Sequence, residues 1–403
     1  MARRTVADRR PRPSSSSRSR STSGPTYRPV YPGLDQDSPG DGSPDILIFA
    51  VTLALLGIGV VMVFSASSVR ALTVYKDAYY FLKLQLAWTL IGICAMLVTM
   101  RINYRVWYRF AGLILIAVLA LLLLVLVPGI GKEMGGSRRW IDLGPAHVQP
   151  SELSKIAMIF FLSRFFAERR DSLKSFFRGL VPPLMLVAMI FGLIMLEPDL
   201  GTATTAVGTG LVLIFVAGAR LWHLIGLAIL GLPAFVAVMM LEPYRRRRFF
   251  AFLHPWDDPL GSGFHIIQSL LALGSGGLFG LGLGRSRQKF LYLPAQHTDF
   301  IFAIIGEELG LIGALTVVFL FFLLAWRGFR IALAAPDAFG SYLAVGITTM
   351  IILQAVINIG VVTGMFPITG ITLPLISFGG SSLVMTLGAL GILLNVSKFA
   401  NID

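Results

Sequence analysis

Long apolar runs with few charges recur in this 403-residue chain from residue 46 to residue 397. A helix of about 20 apolar residues crosses the hydrocarbon core of a bilayer. We therefore predict ten membrane spans, at 46–66, 82–100, 111–128, 154–167, 180–196, 203–219, 222–242, 299–325, 341–363 and 383–397. The predicted fold class is an all-α polytopic membrane protein with a long loop, 243–298, between the seventh and eighth spans.

The composition excludes several classes of protein. Hydrophobic residues make up 55% of the chain and charged residues only 14%, which is too apolar for a soluble protein. Cys94 is the only cysteine, so a disulfide framework and a cysteine-based metal site are excluded. The GLGLG string at 280–284 lacks the strand and helix that a dinucleotide site needs. We expect no nucleotide or redox cofactor.

The first 44 residues differ in composition from the rest. They are rich in Arg, Ser, Pro and Gly, which is typical of a disordered segment. Eight arginines against four aspartates give this tail a net charge of +4, out of +13 for the whole chain. We expect a disordered, basic, cytoplasmic tail that contacts anionic lipid rather than nucleic acid, followed by a membrane domain over 45–403.

The distribution of Lys and Arg among the connectors predicts the orientation. Basic residues are concentrated in the second, fourth and eighth connectors, and none lies in 197–202 or 364–382. By the positive-inside rule, both termini are then cytoplasmic and the 243–298 loop is outside. That loop and the third connector carry basic residues nevertheless. Either long loops tolerate exported positive charge, or these residues bind an anionic ligand such as a lipid phosphate.

The string WDDPLGSG, at 256–263, places Asp257 and Asp258 beside each other before a proline. Asp-Pro and the two following glycines are typical of a turn. A carboxylate in such a loop can also accept a proton from a sugar hydroxyl or hold a divalent cation. The apolar run that follows is too short to span, so we predict a re-entrant or interfacial helix there.

Several carboxylates lie near or inside predicted spans. Asp199 lies at an outer helix end, Asp299 at a membrane entry, and Glu307 and Glu308 deeper along the same span. Such residues form a structural ion pair, with Lys155 or an outer-loop arginine as the candidate cation, or line a substrate path. The uncharged segment 366–382 has the composition of a broken helix that lines a cavity. Two classes remain: a membrane-embedded transferase that acts on an anionic lipid, and a lipid or solute transporter.

Four motifs resemble those of the SEDS family (shape, elongation, division and sporulation proteins). They are SRRWIDLGPAHVQPSELSK, EPDLGTA, TGITLPLISFGGSS and the long stretch from DPLGSGFHIIQ through QHTDFIFAIIGEELG. The match extends in order over residues 46–397. The string SRQKFLYLPAQHTDFIFAIIGEE is similar to the division-type FtsW group rather than to the elongation-type RodA group. An elongation-type or a sporulation-type member of the family is an alternative.

The resemblance implies a ten-helix peptidoglycan glycosyltransferase that polymerises lipid II at the outer membrane face and releases undecaprenyl pyrophosphate. The aspartate of its Asp-Pro-x-Gly-x-Gly motif corresponds to Asp258, which we expect to be catalytic, either as a general base or by holding a divalent cation, Mg²⁺ or Mn²⁺. Within the matching motifs we assign substrate binding to Arg139, Lys155, Asp199, Gln268, Lys289, His297, Asp299, Glu307 and Ser377.

The resemblance also implies partners and a location. We expect lipid II and the nascent glycan strand as ligands, and a class B penicillin-binding protein at the predicted eighth and ninth spans and the long outer loop. Other divisome proteins at the septum of the cytoplasmic membrane are further expected partners. Two alternatives keep the same fold: a lipid II flippase, in which Lys155, Asp199, Glu307 and Glu308 line the headgroup route, and a non-enzymatic divisome scaffold.

Overall fold

The structure is a computed structural model. It describes residues 42–400, apart from 135–136, 143, 145–146, 170–175, 221, 224, 227–228, 230, 232, 234–235, 238–239, 241–242 and 291–292. The predicted disordered tail falls almost wholly outside the described residues, as does much of the predicted seventh span. Both stay predictions.

The described residues form eleven α-helices, which confirms the predicted fold class. Their bounds are α1 Ile46–Tyr75, α2 Tyr80–Arg101, α3 Arg105–Leu126, α4 Pro150–Glu168, α5 Val181–Leu196, α6 Leu200–Val216, α7 Pro243–Leu253, α8 Phe264–Gly276, α9 Ile301–Ala334, α10 Ala338–Val362 and α11 Gly380–Ser397. By length and composition, six of these helices can cross a membrane: α1, α2, α3, α9, α10 and α11.

Three further helices coincide with predicted spans but are shorter or more charged. Helices α5 and α6 have 16 and 17 residues. Helix α4 has 19 residues and buries Glu152 and Lys155 among its apolar side chains. These three helices account for the fourth, fifth and sixth predicted spans.

Two helices continue well past their predicted ends. Helix α1 reaches Tyr75 instead of Ala66, and α9 reaches Ala334 instead of residue 325. The predictions ended where polar side chains begin. A helix does not require apolar side chains to continue, because its backbone hydrogen bonds are satisfied within the helix.

The third connector contains a small antiparallel sheet that the sequence analysis did not predict. Its strands are β1 Gly131–Met134, β2 Ser137–Asp142 and β3 His147–Val148, with Ile141 of β2 opposite both Gly131 and Val148. The strands are short and rich in charged residues, so they lack the apolar alternation that reveals a strand. The sheet matters for the site because β2 carries Arg139.

The loop between residues 243 and 300 folds back onto the membrane helices. The predicted short helix is present as α8, and the glycine-rich stretch after it packs on α9. Gly280 and Gly310 have φ angles of +80° and +68°, and a Cβ on either would overlap the other segment's backbone. Glycine therefore allows the loop to approach α9 closely at the kink that Gly310 introduces.

Candidate functional site

Asp258 is exposed at a turn that its own side chain stabilises. Its Oδ2 accepts hydrogen bonds from the backbone N–H of Ser262 at 2.8 Å and from the Ser262 hydroxyl at 3.1 Å. Its backbone carbonyl accepts from the N–H groups of Gly261 and Gly263, at 3.3 and 3.1 Å. The turn thus fixes the orientation of a solvent-accessible carboxylate.

Gly261 and Gly263 stand at positions of this turn where the structure leaves no space for a Cβ atom. A Cβ at Gly261 would overlap the Asp258 carboxylate, and a Cβ at Gly263 would overlap the carbonyl of Pro255. Neither residue has a positive φ, so the constraint is a close approach rather than a special backbone conformation. The turn interpretation and the site interpretation of WDDPLGSG are therefore compatible.

The surroundings of Asp258 favour its ionised form. Hydrogen bonds from Ser262 lower the pKa of this carboxyl group below its ordinary value, and the charge of Arg247 lowers it further. Burial in the loop would raise this pKa and make Asp258 a stronger base. The exposed side chain excludes that possibility.

A second group of charged residues comes from four separate parts of the chain. Asp199 caps α6 by accepting from the N–H and hydroxyl of Thr202, and Gln149 donates to the same carboxylate at 2.8 Å. Arg139 of β2 lies 3.4 Å from Asp199 Oδ2. We name the set Arg139, Asp199, Arg248 and Asp299 the outer cluster.

Arg248 and Asp299 join the outer cluster from α7 and from the residues before α9. Burial raises the pKa of Asp299 to about 6, while the charges of Arg248 and Arg139 oppose that shift. Asp199 adds a further upward contribution. The mutual influence of these groups shows that two arginines and two carboxylates share one region.

Glu197 is a buried carboxylate next to the outer cluster, just after the end of α5. Burial raises its pKa to about 8, and the neighbouring charge of Asp199 contributes to the shift. Glu197 is the first residue of the EPDLGTA motif and was not assigned to the site from the sequence. A buried acid beside a second carboxylate favours its protonated form at neutral pH.

Lys155 belongs to a different, fully enclosed group inside the bundle. Its Nζ lies 3.1 and 3.0 Å from the two carboxylate oxygens of Glu152 and donates to the side-chain carbonyl of Gln354 at 2.9 Å. Gln354 in turn donates to the carbonyl of Thr372 at 3.1 Å. The sequence analysis missed Glu152 and Gln354, although the spacing of three between Glu152 and Lys155 is a recognisable helical pair.

Glu308 is buried and binds the loop between residues 243 and 300. Its carboxylate accepts from the Ser65 hydroxyl at 2.7 Å and from the backbone N–H groups of Gly284 and Ser286, at 3.0 and 3.2 Å. Lys289, also buried, lies 3.7 Å from Glu308 Oε1. The cation paired with this carboxylate is therefore Lys289, and the expected pairing with Lys155 was wrong.

Glu307 binds the same loop segment. It accepts from the Ser286 hydroxyl and from the backbone N–H groups of Arg287 and Gln288, at 2.9 and 3.4 Å. Together the two glutamates fasten residues 284–289 to α9. This geometry supports a structural role for Glu307 and Lys289, which we had assigned to substrate binding.

The remaining predicted binding residues lie around the non-helical segment before α11. Ser377 donates to the carbonyl of Thr298 at 2.6 Å and accepts from the N–H of Leu373 at 2.8 Å. His297 is buried against Phe81, which lowers its pKa to about 4, and it is therefore neutral. Gln268 is half-buried on α8.

The structure thus brings together some of the predicted residues and separates others. Arg139, Asp199 and Asp299 share the outer cluster. Arg247 and Arg248 are adjacent on α7. Because the charge of Arg247 lowers the pKa of Asp258 and that of Arg248 lowers the pKa of Asp299, α7 connects the outer cluster with Asp258. The run of four arginines at 245–248 was the sequence signal for this connection, and the sequence analysis did not assign it to the site.

The model of a family of cell cycle proteins, FtsW/RodA/SpoVE, matches residues 45–402. Stage V sporulation protein E of Bacillus subtilis is 53% identical over 89% of this chain and 98% of its own length. A protein of Geobacter metallireducens named probable peptidoglycan glycosyltransferase FtsW is 47% identical, over 88% of this chain and 94% of its own length.

Solved structures of similar fold include a chain of a peptidoglycan synthase complex that coordinates polymerization and crosslinking. It has a TM-score of 0.74 and 33% identity, and it covers 89% of this chain and 99% of the other. The rod shape determining protein RodA of Thermus thermophilus has a TM-score of 0.67 and 30% identity, with coverage of 89% and 98%.

Proposed function

Because the chain belongs to the SEDS family of cell cycle proteins, which includes FtsW, RodA and SpoVE, we propose that Asp258 is the catalytic residue of a peptidoglycan glycosyltransferase. The protein is a multi-pass membrane enzyme of this class. Its substrate is lipid II, and the glycan strand grows at the outer face of the cytoplasmic membrane during cell division. The sporulation-type relative makes spore wall synthesis the corresponding alternative.

The single observation that carries this proposal is the fixed, exposed carboxylate of Asp258. A turn that only glycine permits holds it in place, and the basic helix α7 lies beside it. A carboxylate that served the turn alone would not need to stay accessible. Its accessibility supports contact with a substrate.

The reaction joins two lipid-linked sugars. The 4-hydroxyl oxygen of the acceptor attacks the anomeric carbon of the donor, the bond from that carbon to the phosphate oxygen breaks, and the anomeric configuration inverts. Undecaprenyl pyrophosphate leaves with the electron pair. Asp258, ionised at neutral pH, accepts a hydrogen bond from the attacking hydroxyl and orients it, and the proton passes to this carboxylate or to water.

A divalent cation at Asp258 is compatible with the residues present. Among the described residues, no group of three or more His, Cys, Asp or Glu side chains could hold a metal by itself. Mg²⁺ commonly binds one or two carboxylates together with substrate phosphates, so Asp258 and a pyrophosphate suffice. Both Ser262 bonds go to Oδ2, which leaves Oδ1 for the ion. Mg²⁺ or Mn²⁺ would supply positive charge against the leaving pyrophosphate.

Arg139 and Arg248 are the cations best placed to bind the pyrophosphate. Both are partly exposed, whereas Lys289 and Lys155 are buried in ion pairs with Glu308 and Glu152. Asp199 accepts three hydrogen bonds, from Gln149 and Thr202, and forms the ion pair that holds Arg139 in position. Cationic side chains that are already in position before the reaction stabilise the negative charge that develops on the leaving group.

The location and the partner follow from the same proposal. We place both termini in the cytoplasm, the 243–298 loop outside, and the protein at the septum. A class B penicillin-binding protein, with other divisome proteins, docks on α9 and α10 and the outer loop. A solved chain of similar fold belongs to a peptidoglycan synthase complex that coordinates polymerization and crosslinking, which supports a partner of this kind.

Polymerisation of purified lipid II tests this function against the flippase alternative. The wild-type protein is assayed in detergent with and without its transpeptidase, and in liposomes for lipid II translocation. Glycan strands support the transferase, whereas translocation without strands supports the flippase. Glu307 and Glu308 give the flippase no support, since the loop occupies both carboxylates.

A further inference from the structure

Four large apolar side chains lie exposed along the outer loop on both sides of Asp258. Phe250, Leu253, Trp256 and Leu260 are 52, 48, 64 and 91% exposed. They follow one another at intervals of three or four positions, and the first two share a face of α7. We name these four residues the apolar strip. Surfaces in contact with water rarely expose so many large apolar side chains together.

Exposed arginines precede the apolar strip on the same helix. Arg246 and Arg247 are both exposed, and Arg246 lies four positions before Phe250, on the same face. Arginine beside Phe, Leu and Trp is the composition of helices that lie in the headgroup region of a bilayer. The positive charge matches anionic lipid phosphates.

The contacts of α7 and α8 place them where the spans leave the membrane. Arg248 donates to the carbonyl of Ile368 at 3.4 Å, a few residues after α10 ends at Val362. Gly364, in the same connector, lies against Ile266 and Leu270 of α8. Both loop helices therefore lie at the depth of a span end, where lipid headgroups begin.

We propose that the apolar strip docks onto the outer leaflet of the membrane. Its four side chains enter the upper acyl region, and Arg246 and Arg247 bind the phosphates of anionic phospholipids. Asp258, between Trp256 and Leu260, is thereby held at the depth of the phosphates of membrane lipids. A sugar-binding platform would explain Trp256 but not the three other exposed side chains.

Site-directed spin labelling of the full chain tests this docking without any polymerisation step. Cys94→Ala removes the only cysteine, and Leu260→Cys then carries a nitroxide at a position that makes no core contact. Glu133→Cys, on the exposed strand β1 of the third connector, is the matched control. Both labelled proteins are placed in nanodiscs of phosphatidylcholine and phosphatidylglycerol. Collisions with oxygen, which partitions into lipid, are compared with those of a water-soluble nickel chelate.

The docking predicts an oxygen-to-nickel collision ratio several-fold higher at position 260 than at position 133. It also predicts that Arg246→Gln lowers the ratio at position 260 toward the control value. Equal ratios at the two positions would overturn the proposal, since the strip would then face water and be open to a sugar. Shielding of position 260 from both reagents would overturn it too, because protein would cover the strip.

Discussion

Ser262 donates two hydrogen bonds to one oxygen of Asp258, from its backbone N–H at 2.8 Å and from its hydroxyl at 3.1 Å. Both bonds stabilise the carboxylate rather than the carboxylic acid, and they lower the pKa of Asp258. The group is therefore charged and oriented throughout the neutral range. Orientation of the acceptor hydroxyl, and not an unusually basic carboxylate, is what the turn provides.

Ser262→Ala removes the hydroxyl bond but keeps the backbone bond. The pKa of Asp258 should then rise toward its ordinary value, so a larger share of the enzyme is protonated at acid pH. We expect the acid limb of the rate of lipid II polymerisation to move to higher pH, with a plateau rate near that of the wild type. Ser262→Thr keeps a hydroxyl and should keep the wild-type profile. An unshifted limb in Ser262→Ala would contradict the role of this bond.

Gly261→Ala should displace the Asp258 carboxylate, because the added Cβ would overlap it. Displacement of a reacting group by about 1 Å can cost on the order of 100-fold in rate. We expect a loss of polymerisation of that order with little change in thermal unfolding. Gly274→Ala is the matched control, since nothing lies within 4 Å of its added Cβ. Equal activity of the two variants would show that a glycine at position 261 is not needed to position the Asp258 carboxylate.

Glu308→Ala removes the acceptor that two loop N–H groups, the Ser65 hydroxyl of α1 and Lys289 share. Removing one partner of a buried ion pair costs about 3–5 kcal/mol of unfolding free energy. Thermal unfolding in detergent should show a clear drop in midpoint. Glu133→Ala breaks an exposed pair with Arg138, worth about 0–1 kcal/mol, and should unfold like the wild type. Similar midpoints for the two variants would show that the loop is held by other contacts.

Glu197 should make the stability of the fold decrease as the pH rises from about 5 to 8. Its pKa is about 8 in the folded protein against an ordinary value of 4.5. Between these values the folded state holds a proton that the unfolded state has released, so stability falls as pH rises through this window. Glu197→Gln removes the titrating group, and its unfolding midpoint should fall less between about pH 5 and 8 than that of the wild type. An equal fall of the unfolding midpoint with pH in the two proteins would refute the raised pKa of Glu197.

The apolar runs were sufficient to predict most of the membrane helices, because a span must hide its backbone from lipid. They were insufficient for helix ends, as the extension of α1 to Tyr75 illustrates. Asp258 could be selected from its motif. Its exposure, which decides between a buried base and an oriented carboxylate, depends on how the turn folds and is not encoded in residue types alone.

The partners of the buried carboxylates were harder to predict. Glu307 and Glu308 accept hydrogen bonds from backbone N–H groups of residues 284–288. Every residue type except proline carries such a donor, so the residue types alone do not reveal these partners. Lys155 has its partner on its own helix, at Glu152. The convergence of Arg139 with Asp199 depends on the unpredicted sheet of the third connector.

The most direct measurement is polymerisation of lipid II by Asp258→Asn beside Asp257→Asn, each purified with its transpeptidase. Asparagine keeps the acceptor oxygen of the turn and removes only the negative charge, so both variants should unfold at the wild-type temperature. We expect glycan strands from the wild type and from Asp257→Asn, and none from Asp258→Asn. Strands from Asp258→Asn at a rate near that of the wild type would contradict the assignment of Asp258 as the catalytic residue.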